Sequence, residues 1–294
     1  MSLYLAMDVG GTSIKYGVID DEGNVSNQGK IVTPDSLDKM YVEMEKIYHD
    51  LNQEVEGLAL SMPGAVDSEV GVIKGSSALD YIHGPNIKED LQARLNLKVT
   101  LENDANCAAL AEVWKGAASD VDDCMFIVSG TGIGGAVVKN RLIHRGKHLH
   151  GGEFGYMVAL NDIENDEYIS WSEAGSTVAV VRAVAKELGV EPETLDGKEI
   201  FDHASENPVY QKYVNQYFSV LAMGIYNLQY VYDPEKIVIG GAISARDDLL
   251  EQLEKHLDKI YTKIPHAKIR PQVVKCKFAN QANLIGAVYN FINS

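Results

Sequence analysis

The feature that most constrains the fold is a pair of strand-like runs at the start of the chain, joined by a glycine turn. Residues 3–9 are mostly apolar and β-prone, Gly10-Gly11-Thr12 interrupts them, and residues 13–20 resume the same character. Two strands on either side of a tight glycine turn are typical of a β-hairpin. The sequence therefore predicts that the chain opens with an antiparallel hairpin.

This first turn combines groups that suit a phosphate. The backbone amides of Gly10 and Gly11 can approach an anion, and Thr12 adds a hydroxyl. Asp8 places a carboxylate beside them, which suits Mg²⁺. Glycine turns of this kind are also common in ordinary hairpins, so an ordinary hairpin remains an equal alternative at this point. The role of Lys15 stays open, because a side chain of the second strand can also point into solvent.

The same device recurs about 120 residues later. Residues 124–128 are strand-like, residues 129–135 form a glycine-rich turn, and residues 136–139 are strand-like again. A dinucleotide-binding fingerprint would require a helix after the glycines, whereas β-prone residues follow here. Two such hairpins, each opening one half of the chain, favour two related domains that bind one polyphosphate, with Thr131, Gly132 and Gly134 in the second turn.

An acidic residue lies where a predicted strand meets a predicted helix. The short strand 99–101 is followed by Glu102-Asn103-Asp104, and a helix is predicted over 105–115. Asp104 then lies near the positive end of the helix dipole, which favours its ionised form. Asn103 or Asp104 can equally be the helix N-cap, and the two uses are compatible.

Three further segments carry candidate binding residues. Glu153 lies in a glycine-spaced loop, and Glu173 precedes a predicted helix over 176–188. Gly240-Gly241 joins a buried strand to a helix. Glycines there would let a flat ligand lie against the backbone, and a simple tight connection remains an equal alternative.

Bulk properties exclude several classes of protein. The chain has 294 residues, 46% of them hydrophobic, which is enough for two domains with full cores. Its net charge of −16 opposes nucleic-acid binding. It contains three widely spaced cysteines, no leader-like start and no apolar run long enough to span a membrane. These features predict a cytoplasmic protein with no membrane or nucleic-acid partner.

Six motifs taken together resemble the ROK sugar kinases of the actin-like ATPase superfamily. They are Asp8-Val9-Gly10-Gly11-Thr12, Pro63-Gly64, Glu102-Asn103-Asp104-Ala105-Asn106, Gly130-Thr131-Gly132-Ile133-Gly134-Gly135, Gly152-Glu153-Phe154-Gly155 and Gly240-Gly241-Ala242-Ile243. The resemblance implies an α/β fold of two ribonuclease-H-like, actin-like lobes with an interlobe cleft. The small lobe is expected over 1–102 plus about 284–294, and the large lobe over 103–283.

The resemblance also implies roles for individual residues. Asp104 is expected to be the catalytic base of an ATP-dependent phosphotransferase. ATP is expected to contact Asp8, Gly10, Gly11, Thr12, Thr131, Gly132, Gly134, Gly240 and Gly241, with Mg²⁺ near Asp8. The sugar is expected to contact Gly64, Asn103, Asp104, Glu153, Tyr156 and Glu173. Members of the family are usually homodimers.

Departures from the family pattern narrow the expected substrate. Tyr156 stands where most members have a zinc-binding His, and Trp171-Ser172 stands where they have a cysteine, so no zinc site is expected. The chain looks most like the zinc-free branch with β-glucoside kinases, a likeness that extends to the segment Asn280-Gln281-Ala282. Those enzymes phosphorylate O6 of the non-reducing glucose of cellobiose-type disaccharides.

Two alternatives remain. One is a different hexose or amino-sugar kinase of the family: a glucokinase, fructokinase or N-acetylmannosamine kinase. The other is a sugar-responsive repressor, which carries a winged-helix domain ahead of the sugar domain. Because the hairpin begins at Leu3 and the chain is acidic, the repressor is the weaker expectation.

Overall fold

A computed structural model describes residues 1–278 and 281–294, which form two compact units. The first unit contains Met1–Asp120, Arg141–Gly151 and Lys277–Ser294, and the second contains Val121–Asn140 and Gly152–Cys276. The helix after Asn103 thus belongs to the first unit. The lobes expected from the sequence, 1–102 plus about 284–294 and 103–283, divide the chain differently. They remain a prediction.

The elements alternate between strands and helices. The strands are β1 (Leu3–Val9), β2 (Ser13–Asp20), β3 (Val25–Val32), β4 (Gly57–Met62), β5 (Ala65–Asp67), β6 (Val72–Lys74), β7 (Lys98–Asn103), β8 (Cys124–Ser129), β9 (Ile133–Lys139), β10 (Leu142–Ile143), β11 (Val158–Asp162), β12 (Glu167–Ser170), β13 (Lys236–Gly240) and β14 (Val273–Lys275). The α-helices are α1 (Leu37–Asp50), α2 (Ile87–Leu95), α3 (Asp104–Lys115), α4 (Trp171–Gly175), α5 (Thr177–Leu188), α6 (Gly197–Asp202), α7 (Pro208–Tyr232), α8 (Leu249–Lys263) and α9 (Ala282–Ile292).

The first unit is built on a mixed sheet with strand order β3-β2-β1-β4-β7. β1 and β2 are antiparallel, whereas β1, β4 and β7 run parallel. Side chains alternate across the sheet, so Leu5 and Met7 of β1 join one core, with Met40 and Met44 of α1, while Ala6 joins another. Both faces of β1 are therefore buried.

The second face of this sheet is covered by α3 and α9, which pack closely together. Ala6 and Ala59 meet Leu284 and Val288 there. A Cβ at Gly286 would overlap the carbonyl oxygen of Cys107. Small residues on this face therefore allow the helices to approach the sheet and each other.

The second unit repeats the plan with strands β9, β8, β13 and β14 side by side. β8 and β9 are antiparallel, and β8, β13 and β14 are parallel. Its core combines Ile127 and Ile239 with Phe218 of α7 and Leu253 of α8. The long helix α7 is the central packing element of this core.

Both predicted hairpins and the α/β class are confirmed. A strand rather than a helix follows the second glycine turn, as expected. The sequence did not indicate the small hairpins β5–β6 and β11–β12, because each strand has only three to five residues. Asn280 lies outside the described residues. Among the described residues, no helix is both long and apolar enough to cross a bilayer.

Candidate active site

The carboxyl ends of three parallel strands bring several candidate residues to one edge of the first sheet. Asp8 of β1 is paired in register with Ser61 of β4, and Ser61 with Glu102 of β7. Asn103 ends β7, and Asp104 begins α3. Ligands of open α/β sheets bind outside the carboxyl ends of the strands, so this edge is the candidate site of the first unit.

Asp8 is held in place by neutral donors. Ser61 Oγ donates to Asp8 Oδ1 at 2.8 Å, and Asn283 Nδ2 donates to the same oxygen at 2.9 Å. Lys15 Nζ lies 3.8 Å from Asp8 Oδ2, and the lysine side chain is 43% exposed. Lys15 therefore lies beside the carboxylate and still reaches solvent.

The first glycine turn is braced from the neighbouring strand. Thr33 Oγ1 donates to the carbonyl oxygen of Gly10 at 2.6 Å, and the Thr33 amide donates to the carbonyl oxygen of Thr12 at 3.2 Å. Gly11 and Thr12 are exposed. The Gly10 N–H donates to the Ser13 carbonyl oxygen at 3.0 Å. Gly11 and Thr12 are therefore the residues of this supported turn that suit anion binding.

Asn103 caps the helix that begins with Asp104. Its side-chain oxygen accepts from the amides of Ala105 at 3.0 Å and Asn106 at 3.2 Å. Its Nδ2 donates to the Gly64 carbonyl oxygen at 3.0 Å, and Gly64 has φ +96°. The capping alternative for Asn103 is therefore confirmed, and the same side chain ties the predicted sugar residue Gly64 to this junction.

The thiol next to this junction is inert. Cys107 is fully buried on α3. Burial, and then the negative charges of Glu102, Asp8 and Asp104, raise its pKa well above the usual range. Cys107 is therefore a neutral packing residue at physiological pH.

The second glycine turn lies against Gly240-Gly241 within the second unit. Gly241 has φ +85°, and a Cβ there would overlap the carbonyl oxygen of Ser129. Thr177 Oγ1 donates to the Gly130 carbonyl oxygen at 2.9 Å. A Cβ on Gly134 would meet nothing within 4 Å, so this side of the turn is open.

Ser172 lies between the second glycine turn and the loop that carries Glu153 and Tyr156. Ile133 N–H donates to Ser172 Oγ at 3.0 Å, and this hydroxyl also lies close to Gly132 and Gly155. Ser172 therefore links the glycine turn to the loop of Glu153 and Tyr156 and to its own neighbour, Glu173. No sequence motif marks Ser172 as a site residue.

The side chains of Glu153, Tyr156 and Glu173 are accessible to solvent. Glu153 is exposed, and Tyr156 is 78% exposed at the end of a short 3₁₀ helix. Glu173 is exposed and forms a capping box, accepting from Ser170 Oγ at 2.7 Å and Ser170 N at 2.9 Å. These hydrogen bonds lower the pKa of Glu173, so it is a carboxylate at neutral pH.

A cavity of about 580 Å³ adjoins Gly241 in the second unit. Its lining includes Phe201, Ile243 and Arg246. The Arg246 guanidinium lies 5.5 Å from the centroid of the Phe201 ring and forms ion pairs with Asp202 and Asp248. The cavity is thus partly apolar and carries a cation that is paired with two lining aspartates, Asp202 and Asp248. Its volume is within the size range of small-molecule sites.

The donors near the first turn fit Mg²⁺ better than zinc. Mg²⁺ is commonly held by one or two carboxylates, with phosphate oxygens and water. Both hydrogen bonds to Asp8 from Ser61 and Asn283 end on Oδ1, so Oδ2 is the oxygen that could bind the ion. Within residues 1–278 and 281–294, no cluster of three or more His, Cys, Asp or Glu residues is placed to hold a metal ion. The expected lack of zinc remains a prediction.

Two related hairpin-bearing α/β units with glycine turns define the class of nucleotide-binding sugar kinases and their relatives. The chain belongs to the ROK family, whose model matches residues 4–293.

The most informative relatives match along nearly their whole length. The β-glucoside kinase of Listeria innocua is 34% identical, and the alignment covers 98% of this chain and 96% of that protein. A ROK family protein from Streptococcus pneumoniae, solved with sucrose, has TM-score 0.91 and 35% identity over 99% of this chain and 98% of its own. A ROK glucokinase from Streptomyces griseus, solved with glucose and AMPPNP, has TM-score 0.77 and 25% identity over 97% and 98%.

Proposed function

We propose that this protein is an ATP-dependent sugar kinase that transfers the γ-phosphate to a sugar hydroxyl. The observation that carries the proposal is the edge of the first sheet, where Asp8, the Gly10–Thr12 turn and Asp104 are presented together on rigid strand ends. Family membership and kinases among the relatives support it.

Asp104 is the proposed general base. A sugar hydroxyl is a poor nucleophile, and a carboxylate within about 3 Å can accept its proton as the bond to phosphorus forms. Phosphoryl transfer otherwise depends on alignment and charge neutralisation. The helix start at Asp104, fixed by the Asn103 cap, supplies a carboxylate whose backbone position is set.

ATP is proposed to occupy the two glycine turns and the cavity beside Gly241. The amides of Gly11, Gly132 and Gly134 and the hydroxyls of Thr12 and Thr131 suit phosphate oxygens. Gly10, whose N–H donates to the Ser13 carbonyl oxygen, shapes the first turn. The apolar cavity with Arg246 and Phe201 suits a purine base. Mg²⁺ on the phosphates near Asp8 would supply further charge neutralisation.

The proposed acceptor is O6 of glucose or of the non-reducing glucose of a β-glucoside. The exposed carboxylates of Glu153 and Glu173 can each accept from vicinal hydroxyls, and Asn103 can donate the Nδ2 hydrogen that is not bonded to Gly64. A sugar lacking one of these hydroxyls leaves a polar group unpaired. The exposed phenol of Tyr156, in place of a metal-binding His, leaves an open surface beside Glu153. The Streptococcus pneumoniae relative that holds sucrose also supports a disaccharide.

A coupled assay of ADP release over a sugar panel tests the substrate. We expect turnover on cellobiose and related β-glucosides to exceed turnover on glucose and N-acetylmannosamine. A strong preference for free monosaccharides would reject the disaccharide acceptor. No turnover on any sugar would reject the kinase.

Asp104→Asn tests the mechanism. It should lower kcat by about 10²–10⁴-fold while KM for ATP changes little, because general-base catalysis is lost and nucleotide contacts remain. Glu89→Gln, in the first turn of α2, is the matched control and should retain wild-type kcat. Full turnover by Asp104→Asn would remove Asp104 from the mechanism.

We also propose that the enzyme is a homodimer and acts in the cytoplasm, where ATP is supplied and its three cysteines stay reduced. Light scattering on the purified protein should give twice the chain mass of 32.2 kDa. A mass of one chain would contradict the dimer.

A further inference from the structure

Glu102 is a charged residue that the proposed mechanism does not use, although it lies directly before Asn103 and Asp104. It is completely buried. Its Oε1 accepts from the Asn103 amide at 2.9 Å and from Asn106 Nδ2 at 2.8 Å. One carboxylate oxygen thus binds both the end of β7 and the first turn of α3.

The other oxygen of Glu102 is paired with Arg145. Arg145 Nε donates to Glu102 Oε2 at 3.0 Å, and Arg145 Nη2 donates to the same oxygen. Nη2 also lies 3.4 Å from Asn290 Oδ1 on α9. The two charges are 43 residues apart in the chain, and their pairing joins β7, α3, α9 and the segment 141–151 of the first unit.

Burial makes this pair different from a surface ion pair. The Arg145 side chain is 31% exposed, whereas that of Glu102 is 0% exposed. An exposed pair contributes little to stability. Removing one partner of a buried pair leaves an uncompensated charge in a medium that screens it poorly. The charge of Glu102 would then act on ionisable groups nearby.

We propose that Arg145 is a positioning residue for the reaction: it neutralises Glu102 and so fixes both the geometry and the electrostatic environment of Asp104. The inference rests on the proposed function, since it concerns the base of that reaction. Glu102 holds the Asn103 amide and the Asn106 side chain, and Arg145 holds Glu102.

Several charges bear on this junction. Asp8 on β1, Glu102 on β7 and Asp104 on α3 all act on the buried Cys107. A Cβ on Gly64, whose carbonyl oxygen accepts from Asn103 Nδ2, would lie 3.2 Å from the His83 ring. Arg145 is the cation whose bond to Glu102 balances one of these carboxylates.

The proposal predicts opposite effects for the two partners. In Arg145→Met, the unbalanced negative charge of Glu102 favours the protonated base, so the acid limb of kcat/KM should move to higher pH. In Glu102→Gln, the unbalanced positive charge of Arg145 should move the acid limb of kcat/KM to lower pH. Each shift should be roughly 0.5–1 pH unit, since an unscreened charge nearby acts through a dielectric well below that of water.

The experiment measures kcat/KM against pH for wild type, both single variants and the double variant Glu102→Gln/Arg145→Met. The double variant leaves no charge at the pair, so its acid limb should return towards that of wild type. Arg145→Lys keeps the charge and should retain the wild-type limb with a lower kcat, because one ammonium replaces the Nε and Nη2 donors.

Arg94→Met is the matched control. Arg94 forms an exposed ion pair with Glu45 at 2.8 Å and lies just before the start of β7, at the opposite strand end from Asp104. The acid limb of kcat/KM for Arg94→Met should coincide with that of wild type. Melting curves identify any variant that does not fold; if Arg145→Met fails, Glu102→Gln and the double variant still decide the sign.

Two outcomes overturn the inference. One is that both single variants have the wild-type acid limb. The other is that both limbs move in the same direction, as a general loosening of the fold would produce. Inactivity of the wild type on every sugar would instead reject the proposed function, so the two failures are distinguishable.

Discussion

Gly241 is a residue whose identity is dictated by two independent constraints. Its φ of +85° disfavours a side chain, and a Cβ would overlap the carbonyl oxygen of Ser129, at the second glycine turn. Only the second constraint involves the proposed ATP site. The chain has another glycine of positive φ without a close neighbour, Gly189, whose ψ of 36° is less restrictive than the 179° of Gly241.

Gly241→Ala should lower the unfolding free energy by at least about 2 kcal/mol, from backbone strain and overlap together, and should raise KM for ATP. Gly189→Ala is the control, because Gly189 has φ +68° and nothing within 4 Å of an added Cβ. It should cost about 1 kcal/mol and leave KM unchanged. Urea unfolding and ATP titration of the two variants make the comparison, and equal losses would contradict the overlap.

The residues of local motifs are predictable from the sequence, whereas residues that depend on distant partners are not. Asp8, Asn103 and Asp104 stand out because a strand, a turn and a helix start are readable within a few residues. Asn283 donates to Asp8 although the two residues are 275 residues apart in the sequence. No local sequence pattern predicts such a pair. Ser61 could be predicted from a parallel pairing of β1 with β4, because that register places it beside Asp8.

Among the elements, α8 carries an unusual buried histidine. His256 is 4% exposed, its ring stacks at 6.3 Å on that of Phe218 in α7, and its Nε2 has no hydrogen-bond partner among the described residues. Burial, and then the charges of Lys259 and Lys255, lower its pKa below the usual 6.5. The folded protein therefore holds this ring neutral.

This arrangement predicts acid sensitivity of the packing between α7 and α8. Below about pH 6.5, His256 is protonated in the unfolded chain but stays neutral in the folded protein. The unfolding free energy should therefore fall by up to about 1.4 kcal/mol per pH unit as the pH decreases. The loss stops once the pH passes below the folded pKa. His256→Leu should remove this component, so its stability relative to wild type should rise from pH 7.5 to 5.5.

The exposed His266 supplies the control. His266→Leu should leave the pH dependence of the unfolding free energy as in wild type. Chemical denaturation at pH 5.5, 6.5 and 7.5 gives the comparison. Parallel pH curves for wild type and His256→Leu would contradict the prediction.

Most helices and strands could be predicted because their periodicity is local. α7 runs Pro208–Tyr232, and both its apolar stripe and the Asp233-Pro234 pair at its end are visible in the sequence. The hairpin β11–β12 escaped notice because its side chains are largely exposed and follow no clear alternation. The contact of Gly286 with α3 is likewise invisible to periodicity.

At the scale of the whole molecule, the sequence predicts a fold that needs no structural metal. Trp171, at the position of a family cysteine, is 1% exposed and packs near Phe154, with ring centroids 6.4 Å apart. The Trp171 backbone N–H also donates to the Met157 carbonyl oxygen at 2.7 Å. Apolar packing and hydrogen bonds thus connect α4 to the loop that carries Tyr156.

Purified protein should therefore contain no stoichiometric zinc, and EDTA should leave its melting temperature unchanged. Elemental analysis and a thermal melt check this. EDTA should still abolish turnover, with Mg²⁺ restoring it, because the nucleotide requires the cation. One equivalent of tightly bound zinc, or a large drop in melting temperature with EDTA, would contradict the prediction.

The position of α9 has a consequence for how the protein is made. Ala6 and Ala59, near the start of the chain, are covered by side chains of the last helix, among them Leu284, Val288 and Phe291. A ribosome delivers these covering residues only after the whole second unit has been synthesised. The nascent first sheet therefore waits with this face covered only in part, by α3, and a premature stop codon just before Ala282 would damage the part of the protein that was translated first.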